Sequence, residues 1–598
     1  MKNVKWGCQA MLNFKSGKVT RQAMDVAVSG FVKGTAGLAA AVLMSAYSLA
    51  AEEGVIRLVP AQSSIVSATL TVPQLGRHGL ESVSVLSTRQ LCPSQTDQLC
   101  FPTALQHLYA SNDFMPLWRD PALVDELLLQ LTALAETHRV PGLVQRVQEL
   151  QQLLQRDDQR GLDLLATDTL MVYQATVNQM LNDPSALYRP ANFTLDAQHL
   201  ASAPMITVPL TLTSLQRLRP TDKHFDALVA EMHTLEQAQP HGVYLSGRPA
   251  IKFGAEIPNG DKLARMLNTY GDLSDQDFAN VMKTEQATGE SAANRFTNTG
   301  VLHQAIRQFQ QRHGLTDDGV IGPETAQNMA RSYQQVAQLL ALNIQRNRVL
   351  QRHGQGEVLQ VNIPEFMLRI IDDENVIFES KVIVGRSSRP TYLFSSAINH
   401  MVVNPTWNVP ETIKEEDVIP SMKRSPDYLA RHNMRMVSGW SDAQSIDPAQ
   451  IDWSTVSARN FPYEFQQRPG PGNALGQVKF MMPNDFSIYL HDTPVKRLFN
   501  KSKRNFSSGC VRVEKAHDLA YFLLERQRAG QSATYDNLLR KRNPATINLR
   551  KTLAVDFIYR TAWLDEQGKL QVRDDIYGYD DDSTVPQEHD YIAMMNYR

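Results

Sequence analysis

The spacing of apolar residues changes once, near residue 356, and that change divides what the chain can build. Upstream, Leu123, Leu127, Leu128, Leu131 and Leu134, then Leu143, Val147, Leu150 and Leu154, recur at helical intervals. Downstream, Val358 to Ile363 and Phe366 to Ile371 alternate as strands. Asp372-Asp373-Glu374-Asn375 is a turn, and Val376 to Val384 is a third strand stopped by Gly385. Further strands are expected at 398–403, 478–482, 486–490 and 552–559. A chain of 598 residues is too long for one core. The expectation is therefore a multidomain α+β protein. It comprises a helical scaffold domain at 99–254, a small helical module at 255–332, a connecting helix at 333–355, a β-rich domain at 356–580 and a tail at 581–598. Residues 408–472 lack the alternation and end in Arg468-Pro469-Gly470-Pro471-Gly472. They read as a lid subdomain inserted over the sheet.

The N-terminus reads as an export signal. Lys2, Lys5, Lys15, Lys18, Arg21 and Lys33, opposed only by Asp25, precede an uncharged run from Gly34 to Ala51. Ser48-Leu49-Ala50 supplies the small-x-small pattern of a cleavage site. The run borders on the length of a membrane span, so residues 1–51 are a signal peptide or an uncleaved inner-membrane anchor. On either reading the remainder is exported to the periplasm, with 52–98 as a linker and no other membrane contact. The formal net charge is -2, and no basic stripe marks a nucleic-acid surface.

Export makes the cysteines informative. Cys8 lies in the leader, while Cys92 and Cys100 flank a short polar loop and could close a small disulfide. Cys510 is left over. An odd thiol in an exported protein is an intermolecular partner, a reactive group or an inert buried residue.

Its neighbourhood favours reactivity. Tyr489-Leu490-His491-Asp492 is followed by Phe506-Ser507-Ser508-Gly509-Cys510-Val511-Arg512-Val513. A thiol attacks as thiolate, and a histidine able to share its proton supplies one. His491 ends an expected strand, and the intervening loop is long enough to return Cys510 to its side. Ser508-Gly509-Cys510 forms a turn whose amides can face a developing oxyanion, with Gly509 leaving room for the carbonyl. A zinc site would need three or four ligands, and no further Cys or close His pair accompanies these two. His517 sits on the following helix, where a solvated position is the plainer reading.

Two resemblances sharpen this. Ala305 to Gln310, Gly314-Leu315, Asp318-Gly319 and Gly322-Pro323-Glu324-Thr325 resemble the peptidoglycan-binding module of wall enzymes; the alternative is a packing domain that has lost that contact. His491 with Ser507-Ser508-Gly509-Cys510-Val511-Arg512 resembles the signature of the L,D-transpeptidases with a YkuD-type catalytic domain. Ser508 stands where that motif usually has His. The closer likeness is to the large periplasmic YcbB-like subgroup, through Val384-Gly385-Arg386, Ser388-Arg389-Pro390-Thr391, Asn404 to Pro410, Pro469 to Gly476 and Asp575-Ile576-Tyr577-Gly578.

The resemblance implies that residues 356–580 form the catalytic domain, with Cys510 as nucleophile and His491 as general base and then acid. It implies Gly509 and Cys510 amides as oxyanion donors, with the Tyr489 hydroxyl beside them and Ser508 in the turn. Arg512 would hold a substrate carboxylate, or else brace the turn through a salt bridge. Trp407 would wall the substrate groove, or else anchor the strand end. The implied partners are donor and acceptor peptidoglycan stem peptides, supplied through D,D-carboxypeptidase and glycan-polymerising enzymes. The implied reaction is 3→3 cross-linking with release of D-alanine, inhibited by carbapenems. No metal or organic cofactor is called for. The same residues would equally serve an L,D-carboxypeptidase or cross-link hydrolase, and a non-catalytic wall-binding scaffold is the alternative of another class.

Overall fold

The computed structural model describes residues 47–52, 55–60, 99–196, 199, 206–220, 222–238, 242–245, 249–286, 296–350, 356–373, 375–440, 444–527 and 531–580. The leader up to residue 46, Cys92 and the tail 581–598 lie outside them. The chain divides into Met1–Arg77 and His78–Arg598. In the first unit β1 (Tyr47–Glu52) and β2 (Val55–Pro60) form an antiparallel hairpin. A linker is expected from residue 52, but Val55-Ile56-Arg57-Leu58-Val59 is rich in β-branched residues and pairs.

In the second unit the helices Pro102–Ser111, Pro121–Ala135, Leu143–Gln155 and Gln159–Asn182 come first. Asp120 caps the second by accepting from the Ala122 N–H at 3.0 Å, with Pro121 set in its first turn. Buried carboxylates organise this layer. Asp163 accepts from the amides of Leu117 and Trp118 at 2.8 and 2.9 Å. Asp168 accepts from Cys100 N–H, Phe101 N–H and Arg146 Nη1 at 3.1, 2.8 and 3.1 Å. Cys100 itself is disulfide-bonded.

The next helices are Phe225–Gln237, Gly260–Thr269, Asp275–Gln286, Gly300–Arg312, Pro323–Met329 and Tyr333–Arg346. Gly314 takes φ +63° just beyond the fourth, the left-handed position expected of it. No helix among the described residues is long and apolar enough to cross a membrane.

The β-rich domain is a nine-stranded mixed sheet. Its strands are β3 (Val358–Asn362), β4 (Met367–Asp372), β5 (Asn375–Gly385), β6 (Ser395–Val403), β11 (Val478–Met481), β12 (Leu490–His491), β13 (Asn505–Ser507), β14 (Val511–Val513) and β15 (Ala545–Ile558). The order is β13-β5-β14-β12-β11-β6-β15-β3-β4, and β4 also pairs with β5, so the sheet closes on itself. Closure leaves few open edges. The strand expected at 486–490 is shorter and later than its pattern suggests. Ser487 has φ +56°, which interrupts extension and leaves only Leu490–His491 in the ladder.

The insertion has its own small sheet, ordered β7 (Trp407–Asn408), β10 (Glu464–Gln467), β8 (Met434–Val437), β9 (Ser445–Ile446). Val409, Ile419, Met422, Met436, Phe461 and Phe465 form its core.

The cores do not follow the sequence modules. One apolar cluster runs from the first helices into the closed sheet, joining Leu131 and Tyr173 to Leu359 and Phe557. A second joins the module helices to Ala562, Leu564, Leu570 and Val572 of the C-terminal hairpin β16 (Ala562–Leu564) and β17 (Leu570–Val572). Arg312 anchors that contact, pairing with Asp272 through Nε at 2.6 Å and donating to Leu570 O at 2.8 Å.

Candidate active site

The site stands on the face of the sheet opposite the core. In the ladder Leu490 pairs with Phe480 on β11 and Val511 on β14, and all three are buried. Alternation therefore sends Lys479, Tyr489, His491, Cys510 and Arg512 to the other face. Lys479, His491 and Arg512 occupy one row across β11, β12 and β14, since Lys479 pairs with His491 and His491 with Arg512. Tyr489 and Cys510 stand one step along in the next row, linked by the Val511 N–H to Tyr489 O bond at 3.1 Å.

Cys510 is the free cysteine among the described residues and is partly exposed. Its Sγ lies 3.7 Å from Ser487 O, and the backbone N–H and hydroxyl of Tyr489 both donate to it. Burial pushes the thiol above its ordinary value, while Tyr489, Lys479 and Arg512 oppose that rise. His491 is buried, and its Nδ1 lies 2.6 Å from Asp492 O. A carbonyl only accepts, so Nδ1 carries the proton and Nε2 holds the lone pair. Burial, then the neighbouring Arg512, lowers the imidazole to about 3. The resting pair is neutral thiol and neutral imidazole. The hydrogen bonds of Sγ run to Ser487 and Tyr489 rather than to His491, a loose geometry common before substrate arrives.

The turn before Cys510 is braced from three sides. Ser507 Oγ accepts from Gly509 N–H at 3.1 Å and donates to Cys510 O at 2.6 Å. Thr391 Oγ1 donates to Gly509 O at 2.8 Å and accepts from Gly385 N–H at 2.9 Å. Gly509 has φ +111°, which L side chains rarely adopt. The Gly509 amide, one of the expected oxyanion donors, is engaged by Ser507 in this state, as the Tyr489 hydroxyl is by Cys510. Ser508 Oγ accepts from Arg389 Nη1 at 3.0 Å, and the same guanidinium pairs with Glu416 and with Asp417 at 3.0 Å on the insertion. Trp407, in β7, is partly buried and packs against the insertion's core.

Sequence reasoning passed over Lys479, Thr391 and Arg389. The Val478-Lys479-Phe480 alternation could have placed Lys479 on the face of His491. The contacts of Thr391 and Arg389 depend on how β5 returns and have no local signal.

A thiol held by two donors, a neutral imidazole in its hydrogen-bonding tautomer and two adjacent cations are equipment for acyl transfer through a thioester. Comparison with known proteins points the same way. Residues 356–529 match the family described as "L,D-transpeptidase catalytic domain", 103–232 a "Scaffold domain" and 298–329 a "Putative peptidoglycan binding domain". A "Putative L,D-transpeptidase" of Haemophilus influenzae is 42% identical over 246 residues, covering 41% of this chain and 48% of that relative. The chain thus spans about half the length of the curated relative it matches. The L,D-transpeptidase LdtMt1 in complex with imipenem is 11% identical with a TM-score of 0.17, over 34% of this chain and 60% of that one. The L,D-transpeptidase from Stackebrandtia nassauensis is 13% identical with a TM-score of 0.18, over 54% and 97%. Those scores are too low to bear on the fold. Residues 356–529 are thus similar to L,D-transpeptidase catalytic domains of the YkuD type, and the helical residues before them to a scaffold domain and a putative peptidoglycan-binding domain.

The two shifts set the pH behaviour of the thiol. Because His491 stays neutral above about pH 3 and burial raises Cys510, alkylation of Cys510 by iodoacetamide should climb steadily from pH 6 to 9. Stopped-flow rates are expected to show no inflection near the ordinary histidine value, about 6.5.

Proposed function

We propose that the protein is a periplasmic peptidoglycan L,D-transpeptidase that makes 3→3 cross-links. Cys510 Sγ attacks the carbonyl of the third residue of a tetrapeptide stem and passes its proton to His491 Nε2. The oxyanion is met by Cys510 N–H and the Tyr489 hydroxyl. The C–N bond to D-alanine breaks, His491 returns the proton to the leaving amine, and a thioester remains. The side-chain amine of a second stem then forms the new C–N bond as C–S breaks, and its proton travels through His491 back to sulfur. The carrying observation is the one free thiol among the described residues, sharing one sheet face with His491 and Tyr489 within a domain matched to the L,D-transpeptidases.

Mass spectrometry of tetrapeptide muropeptides incubated with the protein tests the reading. A 3→3 dimer is expected. A tripeptide monomer alone would mean an L,D-carboxypeptidase, and unchanged muropeptide a wall-binding scaffold. On the same reading carbapenems are expected to acylate Cys510, seen as a mass increase of the intact protein.

Transfer requires the thioester to meet an amine before water, and the insertion is suited to exclude solvent. Arg389 joins it to the catalytic turn. Arg389→Ala should raise the ratio of tripeptide to dimer about two- to fivefold, a modest effect because Glu416 and Asp417 are solvent-exposed. An unchanged ratio would remove Arg389 from the lid.

A further inference from the structure

Two cations stand beside His491 with no acidic partner among the described residues. Lys479 is half-buried on β11, with Nζ 5.2 Å from the centroid of the Tyr489 ring. Arg512 is half-buried on β14, and both are Cα partners of His491 in the ladder. Among the described residues, Cys510 is the one group whose charge would oppose the burial of either, and its resting thiol is neutral. Burying two positive charges side by side is costly unless an anion joins them.

Resting on the transpeptidase reading, we propose that Lys479 and Arg512 form one clamp for the α-carboxylate of the amino acid whose amine reacts over His491. The chemistry of that amine supplies the reason. In D-alanine the carboxylate carbon is two bonds from the nitrogen that leaves. The side-chain amine of meso-diaminopimelate likewise sits on a carbon bearing a carboxylate. The nitrogen that His491 protonates and the nitrogen it later deprotonates must occupy the same place above Nε2. Each then carries its carboxylate into the row flanked by Lys479 and Arg512. One clamp thus selects both the departing and the arriving group, and a lysine side chain, whose amine lacks the adjacent carboxylate, is a poor acceptor.

The test compares acylation by two tetrapeptide donors, one ending in D-alanine and one in D-alaninamide, on the full chain and on Lys479→Met and Lys479→Arg. The wild type should favour the carboxylate donor by about tenfold to a hundredfold, as charge-assisted hydrogen bonds allow. Lys479→Met should lose most of that preference by slowing only the carboxylate donor, and Lys479→Arg should restore much of it. Equal slowing on both donors, or an undiminished preference, would overturn the clamp while leaving the transpeptidase reading intact. No acylation of the wild type by either donor would overturn both.

Discussion

Cys510→Ala is expected to abolish the acyl-enzyme and to lower cross-linking by about 10⁴-fold or more, the loss typical of removing a covalent nucleophile. Intact-mass spectra should lose the adduct formed with tetrapeptide or carbapenem. The fold should survive, because Sγ contributes only its contacts with Ser487 and Tyr489. An adduct persisting in Cys510→Ala would place the nucleophile elsewhere. His491→Gln should slow acylation by about 10²- to 10⁴-fold. It should also change acid stability, and the sign follows from the direction of the shift. The folded imidazole sits near 3, below its unfolded value of about 6.5. Between those limits the unfolded chain binds the extra proton, so stability is lost as pH falls through that window. The variant should lose stability less steeply there, as read by thermal melts from pH 7 to 4.

Asp168→Ala is expected to destabilise the chain by about 3–5 kcal/mol, the range for breaking a buried ion pair by removing one side chain. Both side chains are fully buried, with Arg146 Nη1 3.1 Å from Asp168 Oδ2. The substitution removes the Asp168 carboxylate from that guanidinium and strips the Cys100 and Phe101 amides of their acceptor. The consequence should reach the catalytic domain, because the helices and the closed sheet share one apolar cluster. Denaturant melts should therefore show the sheet and the helices weakening together. A loss confined to the helices would mean that the cluster is not cooperative.

Local pattern carried much of this protein. The helices around Leu131 and Leu150 and the strands near Val361, Ile370 and Val384 follow from spacing, because burying one face imposes a period of 3.6 or 2 regardless of neighbours. Cys510 and His491, the proposed nucleophile and base, were legible in the sequence because such a pair leaves a short signature. The brief strand Leu490–His491 was less so: its ladder depends on where Ser487 breaks extension.

Other features had no local trace. That the first helices and the sheet share a core, while residues 562–572 belong with the module, was decided by which apolar faces meet across hundreds of residues. That the Gly509 amide is engaged by Ser507, and that Thr391 props the turn from the end of β5, depends on loop geometry. By itself the sequence determined the order of helical and β-rich regions and singled out Cys510 and His491 as the proposed pair, since both rest on short-range pattern. Only the tertiary structure placed Lys479 and Arg512 on either side of His491, because that row exists only once β11, β12 and β14 come into register.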